Sequence, residues 1–407
     1  LNLSEGNSDP NASNLQNGPQ NESMNSENIN LYEHLSQVRA KYRKNFIVSQ
    51  LNINSLRNKF EEIHDLLQNK LVDCIIINET KLDSSFPNAQ FQVDGYQQHR
   101  VDRNQHGGGT ILYMRSDIPH RLTHSVCDNK HEILVVECKI LNESWAIIGA
   151  YRSPDSSVDL ITNNIGPIVD QLMNKNNNII IAGDLNHNML EGTCKLHDFC
   201  DLYGMANVIK EPTCFKSNPG TCLDVILTTQ CDLVSDSGVC HAGPSDFHSI
   251  VYSVFKTKLS FRPNQTITYR SYKSFNPEAY QHDLSMAPFH VGEIFDSVDD
   301  QQWFFESLLT DVMNQHTSLK SKKLKPNQVP YMNSTWRKNI LYRNGLKNKY
   351  NKSSHDKNKW EKYRKSRNYC TSLRRKATRE YVKMKCDSDS GGEIWNTVKP
   401  YFTNKGH

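Results

Sequence analysis

The residues best equipped for chemistry in this chain are carboxylates and amides at the ends of short apolar runs. Gly183-Asp184-Leu185-Asn186 directly follows the run 179–182. If that run is a strand, Asp184 and Asn186 project to one side at its C-terminal end, where open α/β folds gather reactive groups. Asp184 can then take a proton from water while Asn186 donates a hydrogen bond to developing negative charge. Three further clusters repeat the pattern. Leu51-Asn52-Ile53-Asn54 ends one apolar run with two amides, Asn78-Glu79-Thr80-Lys81 ends a second with a carboxylate, and Pro244-Ser245-Asp246-Phe247-His248 precedes a third.

Each cluster also has a plainer reading. Asn54 and the Asp184–Asn186 pair suit turns, Glu79 a solvated rim, Asp246 a cap and His248 the surface. Taken together, polar groups at the tips of four buried strands make an oxygen-rich, amide-containing pocket. Such a pocket suits a hard cation such as Mg²⁺, which takes few carboxylates and completes its shell with substrate phosphate.

The elements that must position these groups are spread along the chain. Runs rich in β-branched residues at 46–51, 72–77, 110–114, 133–138, 145–151, 179–182, 223–227 and 249–255 predict strands. Phe60, Ile63, Leu66 and Leu67 recur at helical spacing, and helices are also expected over 158–174, 195–203 and 301–312. Residues 31–45 can form a short basic helix after an Asn/Ser-rich, disordered lead-in. This mixture predicts a layered α/β domain with mixed sheets over residues 46–258. Arg262-Pro263-Asn264 and Asn276-Pro277 mark residues 259–319 as a linker region, and residues 320–407 as a basic, helix-compatible segment.

Composition narrows the class. With 37% hydrophobic residues the chain can bury a core, and no apolar run approaches the ~20 residues a spanning helix needs. Eleven cysteines without a CxxC, and no signal peptide, predict free thiols in a reducing, intracellular compartment. The net charge of +4 is unevenly spread: residues 320–385 hold 22 Lys/Arg against 3 Asp/Glu, whereas residues 46–258 hold 17 against 25. An acidic body with a basic, aromatic-studded tail suggests that catalysis and nucleic-acid attraction are divided between segments.

The order LNIN, NETK, YRSP, GDLN, LDVIL and SDFH resembles the endonuclease/exonuclease/phosphatase superfamily. Its nearest likeness is to the N-terminal endonuclease of non-LTR (LINE-type, Jockey-like) retrotransposon polyproteins, including the spacer before the reverse transcriptase. The resemblance implies a four-layer α/β sandwich of two mixed β-sheets flanked by helices, followed by a basic, largely helical tail. It implies a Mg²⁺-dependent (or Mn²⁺-dependent) endonuclease that nicks target DNA for retrotransposition, in the nucleus, with element RNA a candidate partner of the tail. Carried over, Glu79 matches the main metal ligand, with Asn54 and Asp246 beside it. Asn52 and Arg152 would face the substrate phosphate, and Tyr151 the scissile phosphate. Asp184 would activate water, Asn186 would stabilise the transition state, and Asp224 would orient the catalytic His248.

Two departures stand out. The loop after Tyr151 reads Arg152-Ser153-Pro154-Asp155, one residue longer than the family's and with Asp for Asn. The usual Ser-Asp-His reads Ser245-Asp246-Phe247-His248. On a strand, a one-residue shift sends a side chain to the opposite face. Either Phe247 fills the slot, leaving a degraded fragment that only binds nucleic acid, or a bulge re-aims His248 inward. The second is the working expectation, and a phosphoesterase of the same superfamily is the remaining alternative. Three motifs are set aside. His187, Cys194, His197 and Cys200 fit no zinc spacing and read as helix and core residues. Asp299-Asp300 reads as a solvated helix start. Gly107-Gly108-Gly109 reads as a close strand approach rather than a phosphate cradle.

Overall fold

The computed structural model describes residues 30–175, 178–192, 195–259, 266–323, 329, 331–353 and 356–388. The expected lead-in before Asn30, and Cys194, lie outside these. The chain divides into two compact units: Leu1–Leu259 with Val329–His407, and Ser260–Gln328.

In the first unit, one six-stranded sheet runs β11 (Val234–Cys240), β12 (Ile250–Lys258), β1 (Asn45–Asn52), β2 (Cys74–Asn78), β4 (Thr110–Arg115), β3 (Tyr96–Val101). The second runs β5 (His120–Cys127), β6 (His131–Ile140), β7 (Glu143–Arg152), β8 (Asn178–Asp184), β10 (Asp224–Thr228), β9 (Ala206–Asn207). Each sheet is mixed. The pairs β1–β2 and β7–β8 are parallel, and their other neighbours are antiparallel. Helices α1 (Glu33–Lys41) and α2 (Phe60–Gln68) cover the first sheet, and α3 (Val158–Met173) and α4 (Lys195–Leu202) cover the second. This is the four-layer sandwich expected.

Side-chain alternation explains why both faces of these strands are apolar. On β1, Phe46 and Val48 enter the cluster between the sheets, while Ile47 and Leu51 enter the cluster under α1 and α2. On β2, Cys74 and Ile76 point inward and Ile75 and Ile77 outward. The same parity carries Gln50, Asn52 and Asn78 inward, all essentially buried. The inter-sheet layer therefore turns from apolar to polar at one end. That end holds the candidate site.

Two expectations about the C-terminal third differ from the structure. Residues 259–319 are not a bare linker. Ser260–Gln328 forms a unit in which β13 (Thr266–Ser271) pairs antiparallel with β14 (Ser318–Lys323) around α5 (Pro277–Met286) and α6 (Val298–His316). Lys320 thus starts no helix; it is paired with Tyr269 in a ribbon. Asp299 and Asp300 sit exposed in the first turn of α6, as expected of a helix start.

The second difference is that the basic helices belong to the first unit. Helix α7 (Ser334–Asn351) is capped by Asn333, whose side chain accepts from the Trp336 amide at 2.9 Å. Helices α7 and α8 (Lys357–Ser388) send Trp336, Ile340, Cys370 and Ala377 into the cluster on the outer face of the first sheet. Part of the positive charge is buried with them. Arg343 forms a two-pronged pair with Glu62 of α2 at 2.8 Å for each contact, and Arg337 reaches Asp65 at 2.7 Å. The acids of α2 draw these bases inward because a desolvated charge needs a partner. Among the described residues no helix is long and apolar enough to cross a membrane.

Candidate active site

Strand register assembles the centre. Across the second sheet Tyr151, Asp184 and Asp224 stand abreast on β7, β8 and β10. Across the first, Asn52 and Asn78 stand abreast on β1 and β2. The two sheets are tied here by amides. Asn52 Nδ2 donates to Asp184 Oδ2 at 2.7 Å and to Glu79 Oε1 at 2.9 Å. Gln50 Nε2 donates to Asp224 Oδ1 at 3.1 Å and Asn78 Oδ1 at 3.0 Å, and Asn78 Oδ1 also accepts from the Asp184 amide at 2.9 Å. A glycine is required just before the aspartate: a Cβ on Gly183 would meet the Ala150 carbonyl oxygen at 1.7 Å.

The strand tips are bent to aim their side chains. Asn54, Glu79, Lys81 and Asn186 all adopt positive φ, between 46° and 52°. Non-glycine residues rarely do so unless their surroundings dictate it, and such strain concentrates at functional sites. The surroundings are visible. Thr80 N donates to Gly109 O at 3.1 Å and Lys81 N to Gly108 O at 2.9 Å, while Ser55 N donates to Glu79 O at 2.7 Å. The glycine run thus crosses the Glu79 loop closely, and a Cβ on Gly109, itself at φ +84°, would meet Thr80 Oγ1 at 2.4 Å. Lys59 Nζ holds the carbonyls of Ile53 and Asn54 at 2.6 and 2.8 Å, and burial pushes its ammonium down to about 8.

Asp184, Asp224 and His248 offer ligand atoms within 4.8 Å of one another. His248 Nδ1 lies 2.8 Å from Asp224 Oδ2 and 3.9 Å from Asp184 Oδ2, and its Nε2 lies 3.6 Å from Cys214 Sγ. Burial opposes the imidazolium, but the adjacent Asp224 carboxylate outweighs it and holds His248 well above its usual value. Asp184 is pushed up to about 7 by burial first and by the Asp224 charge second. A carboxylate poised near neutrality is what a general base needs.

Phe247 does not occupy the histidine's place. It lies against Trp360 of α8, ring centroids 5.3 Å apart and planes 12° from parallel. The expected bulge is absent too, because β12 begins only at Ile250 and His248 makes an isolated bridge to Cys214. In a loop, strict alternation no longer governs direction. Ser245 Oγ accepts from the His248 amide at 3.4 Å and closes the turn that aims the imidazole inward.

The other expected residues divide. Tyr151 donates its hydroxyl to Glu79 Oε1 at 3.2 Å, joining the centre. Asn186 Nδ2 donates to Arg152 O at 2.7 Å, which leaves its second amide hydrogen for a ligand. Asn54 Oδ1 accepts from Lys81 Nζ at 2.6 Å. Arg152 turns away from a phosphate role: its guanidinium is buried on the carbonyls of Leu185, Ser153, Ser156 and Asn186, so it braces the Asp184–Asn186 turn. Asp246 is not brought to Glu79, since its oxygens accept from Tyr363 at 3.0 Å and pair with Arg367 at 2.7 Å.

Residues that sequence reasoning missed include Gln50, Asn78, Cys214 and Arg103, whose guanidinium lies 5.5 Å from the Tyr151 ring centre. Gln50 and Asn78 had a signal, as polar residues at inward-facing strand positions. The residues present fit a hard divalent cation: Glu79 offers a partly exposed carboxylate, and one imidazolium does not balance the buried carboxylates of Asp184 and Asp224.

No protein-family model matches the chain, and no curated protein matches it. Among solved structures it is similar to the endonuclease domain of TRAS1, a telomere-specific non-LTR retrotransposon, at 15% identity and TM-score 0.43, covering 52% of this chain and 99% of that one. It is similar to an AP endonuclease from Archaeoglobus fulgidus at 16% identity and TM-score 0.40, and to the 3′ phosphatase NExo from Neisseria bound to a product DNA hairpin at 16% and 0.41. Each covers 52% of this chain and 99% of its own.

Proposed function

We propose that this protein is a Mg²⁺- or Mn²⁺-dependent endonuclease that hydrolyses a DNA phosphodiester bond, nicking target DNA in the nucleus for retrotransposition. The observation that carries the reading is the placement of Asp184, pushed up to about 7, between the Asn52 amide and the Asp224–His248 pair. Asp184 takes a proton from the attacking water. Asn186 and the His248 imidazolium donate to the phosphate oxygens as negative charge grows, and Tyr151 orients the phosphate. The bond from phosphorus to the 3′ oxygen breaks, the departing oxygen takes a proton from solvent water, and the products are a 5′-phosphate and a 3′-hydroxyl able to prime synthesis. A cation held at Glu79 would neutralise phosphate charge and polarise the scissile bond. The exposed bases of α8, among them Arg375, Lys376 and Arg379, suit a grip on DNA or element RNA phosphates.

The test is supercoiled plasmid incubated with the full chain and Mg²⁺, with Asp184→Asn as control. Nicked circles from the wild type and none from the control are expected. Phosphate release from small nucleotides without any nicking would replace this reading with a nucleotide phosphoesterase.

A further inference from the structure

The loop that carries His248 is gripped from outside by a part of the chain about a hundred residues later. Lys347 of α7, fully buried, donates its Nζ to the carbonyls of Ser245 at 2.5 Å and His248 at 2.8 Å, one at each end of the motif. Between them, Asp246 is held by Tyr363 and Arg367, and Phe247 is stacked on Trp360, all from α8. All four residues of the motif are therefore tied to the helical hairpin, and only the His248 side chain is turned to Asp224.

The hairpin in turn is fixed to the body. Arg343, one helical turn before Lys347 on the same face, is clamped on Glu62, Arg337 pairs with Asp65, and Arg374 reaches Glu61 at 3.3 Å. A lysine is a poor choice for merely covering apolar surface. An ammonium loses its hydration on burial, and an apolar side chain of similar volume packs at least as well. Its presence is explained by the two carbonyls it satisfies, which belong to no strand ladder.

We propose that the α7–α8 hairpin is a positioning element of the active site, in which Lys347 holds the 245–248 loop so that His248 stays on Asp224. This rests on His248 serving the hydrolysis proposed above. Lys347 touches no substrate atom; it acts through the loop. The nuclease-like sandwich is thus completed by helices that follow it at a distance in sequence, and loss of their grip would leave substrate binding intact while misaligning the histidine.

The experiment uses the full chain with Lys347→Met, which removes the donors and keeps the volume, and reads three quantities. Hydrogen exchange of the 243–249 amides should accelerate by ~10-fold or more as the loop opens locally. The kcat for nicking should fall by ~10–100-fold, as expected when a reacting group is misplaced by about an ångström, with KM for DNA nearly unchanged. The melting temperature shows whether the variant remains folded. A folded variant with wild-type loop protection and wild-type kcat overturns the proposal. So does one whose KM rises and kcat does not change. Where Lys347→Met unfolds the chain, Trp360→Leu decides, since it keeps Lys347 but removes the stack on Phe247, along with ring contacts to Tyr350 and Tyr363 within the hairpin, and should shift exchange and kcat in the same direction. If the wild type nicks nothing, the endonuclease reading fails, whereas the exchange measurement still judges the grip on the loop.

Discussion

Asn52 of the first sheet donates its amide to the Asp184 carboxylate of the second at 2.7 Å, so the candidate base is fixed by a residue from the opposite layer. That hydrogen bond favours the ionised carboxylate, while burial and Asp224 raise it to about 7. Asp184 must be ionised to accept a proton, so nicking should climb as pH rises through about 7. It should fall only at alkaline pH, where the His248 imidazolium, held up by Asp224, finally loses its proton. Asn52→Ala removes one donor to the carboxylate, a loss of about 1.5–3 kcal/mol. The acid limb should then move to higher pH and the rate at pH 7 drop by roughly 10–100-fold. A pH–rate profile of both proteins checks the direction; an acid limb displaced downward would contradict it.

Substitution at the Ser245-Asp246-Phe247-His248 loop separates the two readings of the motif. His248→Ala should reduce nicking by ~10²–10⁴-fold, the range for removing an acid–base or electrostatic group. Phe247→His should not increase activity, because the ring at 247 faces Trp360 rather than Asp224. Plasmid nicking by the two variants distinguishes them, and activation by Phe247→His would assign the role to the wrong neighbour.

Glu79 is held at its strand tip by Asn52 and Tyr151 and stays partly exposed, as a residue meeting an incoming cation should. Glu79→Gln should raise the Mg²⁺ concentration for half-maximal nicking by at least ~10–100-fold while leaving the fold intact. Metal titration of the rate, beside a thermal melt without metal, measures both halves of that statement.

The Glu62–Arg343 pair is buried and makes two hydrogen-bonded contacts. Arg343→Met leaves the Glu62 carboxylate unpaired and should destabilise the first unit by ~3–5 kcal/mol. The double variant with Glu62→Met should recover most of that loss, since two matched apolar side chains replace two matched charges. Chemical denaturation of Arg343→Met, Glu62→Met and the double variant tests the cycle, and equal stability of Arg343→Met and the double variant would refute it.

Arg375, Lys376 and Arg379 are exposed on α8, unlike Arg337, Arg343 and Lys347 of α7. Replacing the three exposed bases with Gln should flatten the log–log salt dependence of DNA binding by roughly 0.9 per lost phosphate contact. Fluorescence anisotropy across a salt series reads the slope, and an unchanged slope would reduce this face to solvated surface.

Most of the central strands were legible because each is a β-branched run buried on both faces. The four strands of the sandwich that the runs did not reveal, β3, β5, β9 and β11, are the four sheet edges. Edge strands are short or polar, so hydropathy offers no run to detect. The carboxylates and amides at the strand tips were legible for a related reason: polar residues that follow an apolar run sit where the buried layer ends.

What the sequence by itself determined was the layered α/β class, the central strands, and Asp184, Glu79 and Asn52 as residues at their ends. Tertiary structure alone decided which of Phe247 and His248 faces Asp224, because a loop has no fixed side-chain alternation. It also decided the fate of the basic helices. Trp336, Ile340, Arg343, Lys347 and Tyr350 share one face of α7 at helical spacing, all buried. Two of the five are cations, which in sequence read as solvated or phosphate-seeking charge. Only the fold brings Glu62 and the loop carbonyls of Ser245 and His248 against that face. Whether a charge lies in water or in the interior depends on partners distant in the chain, and no local pattern records them.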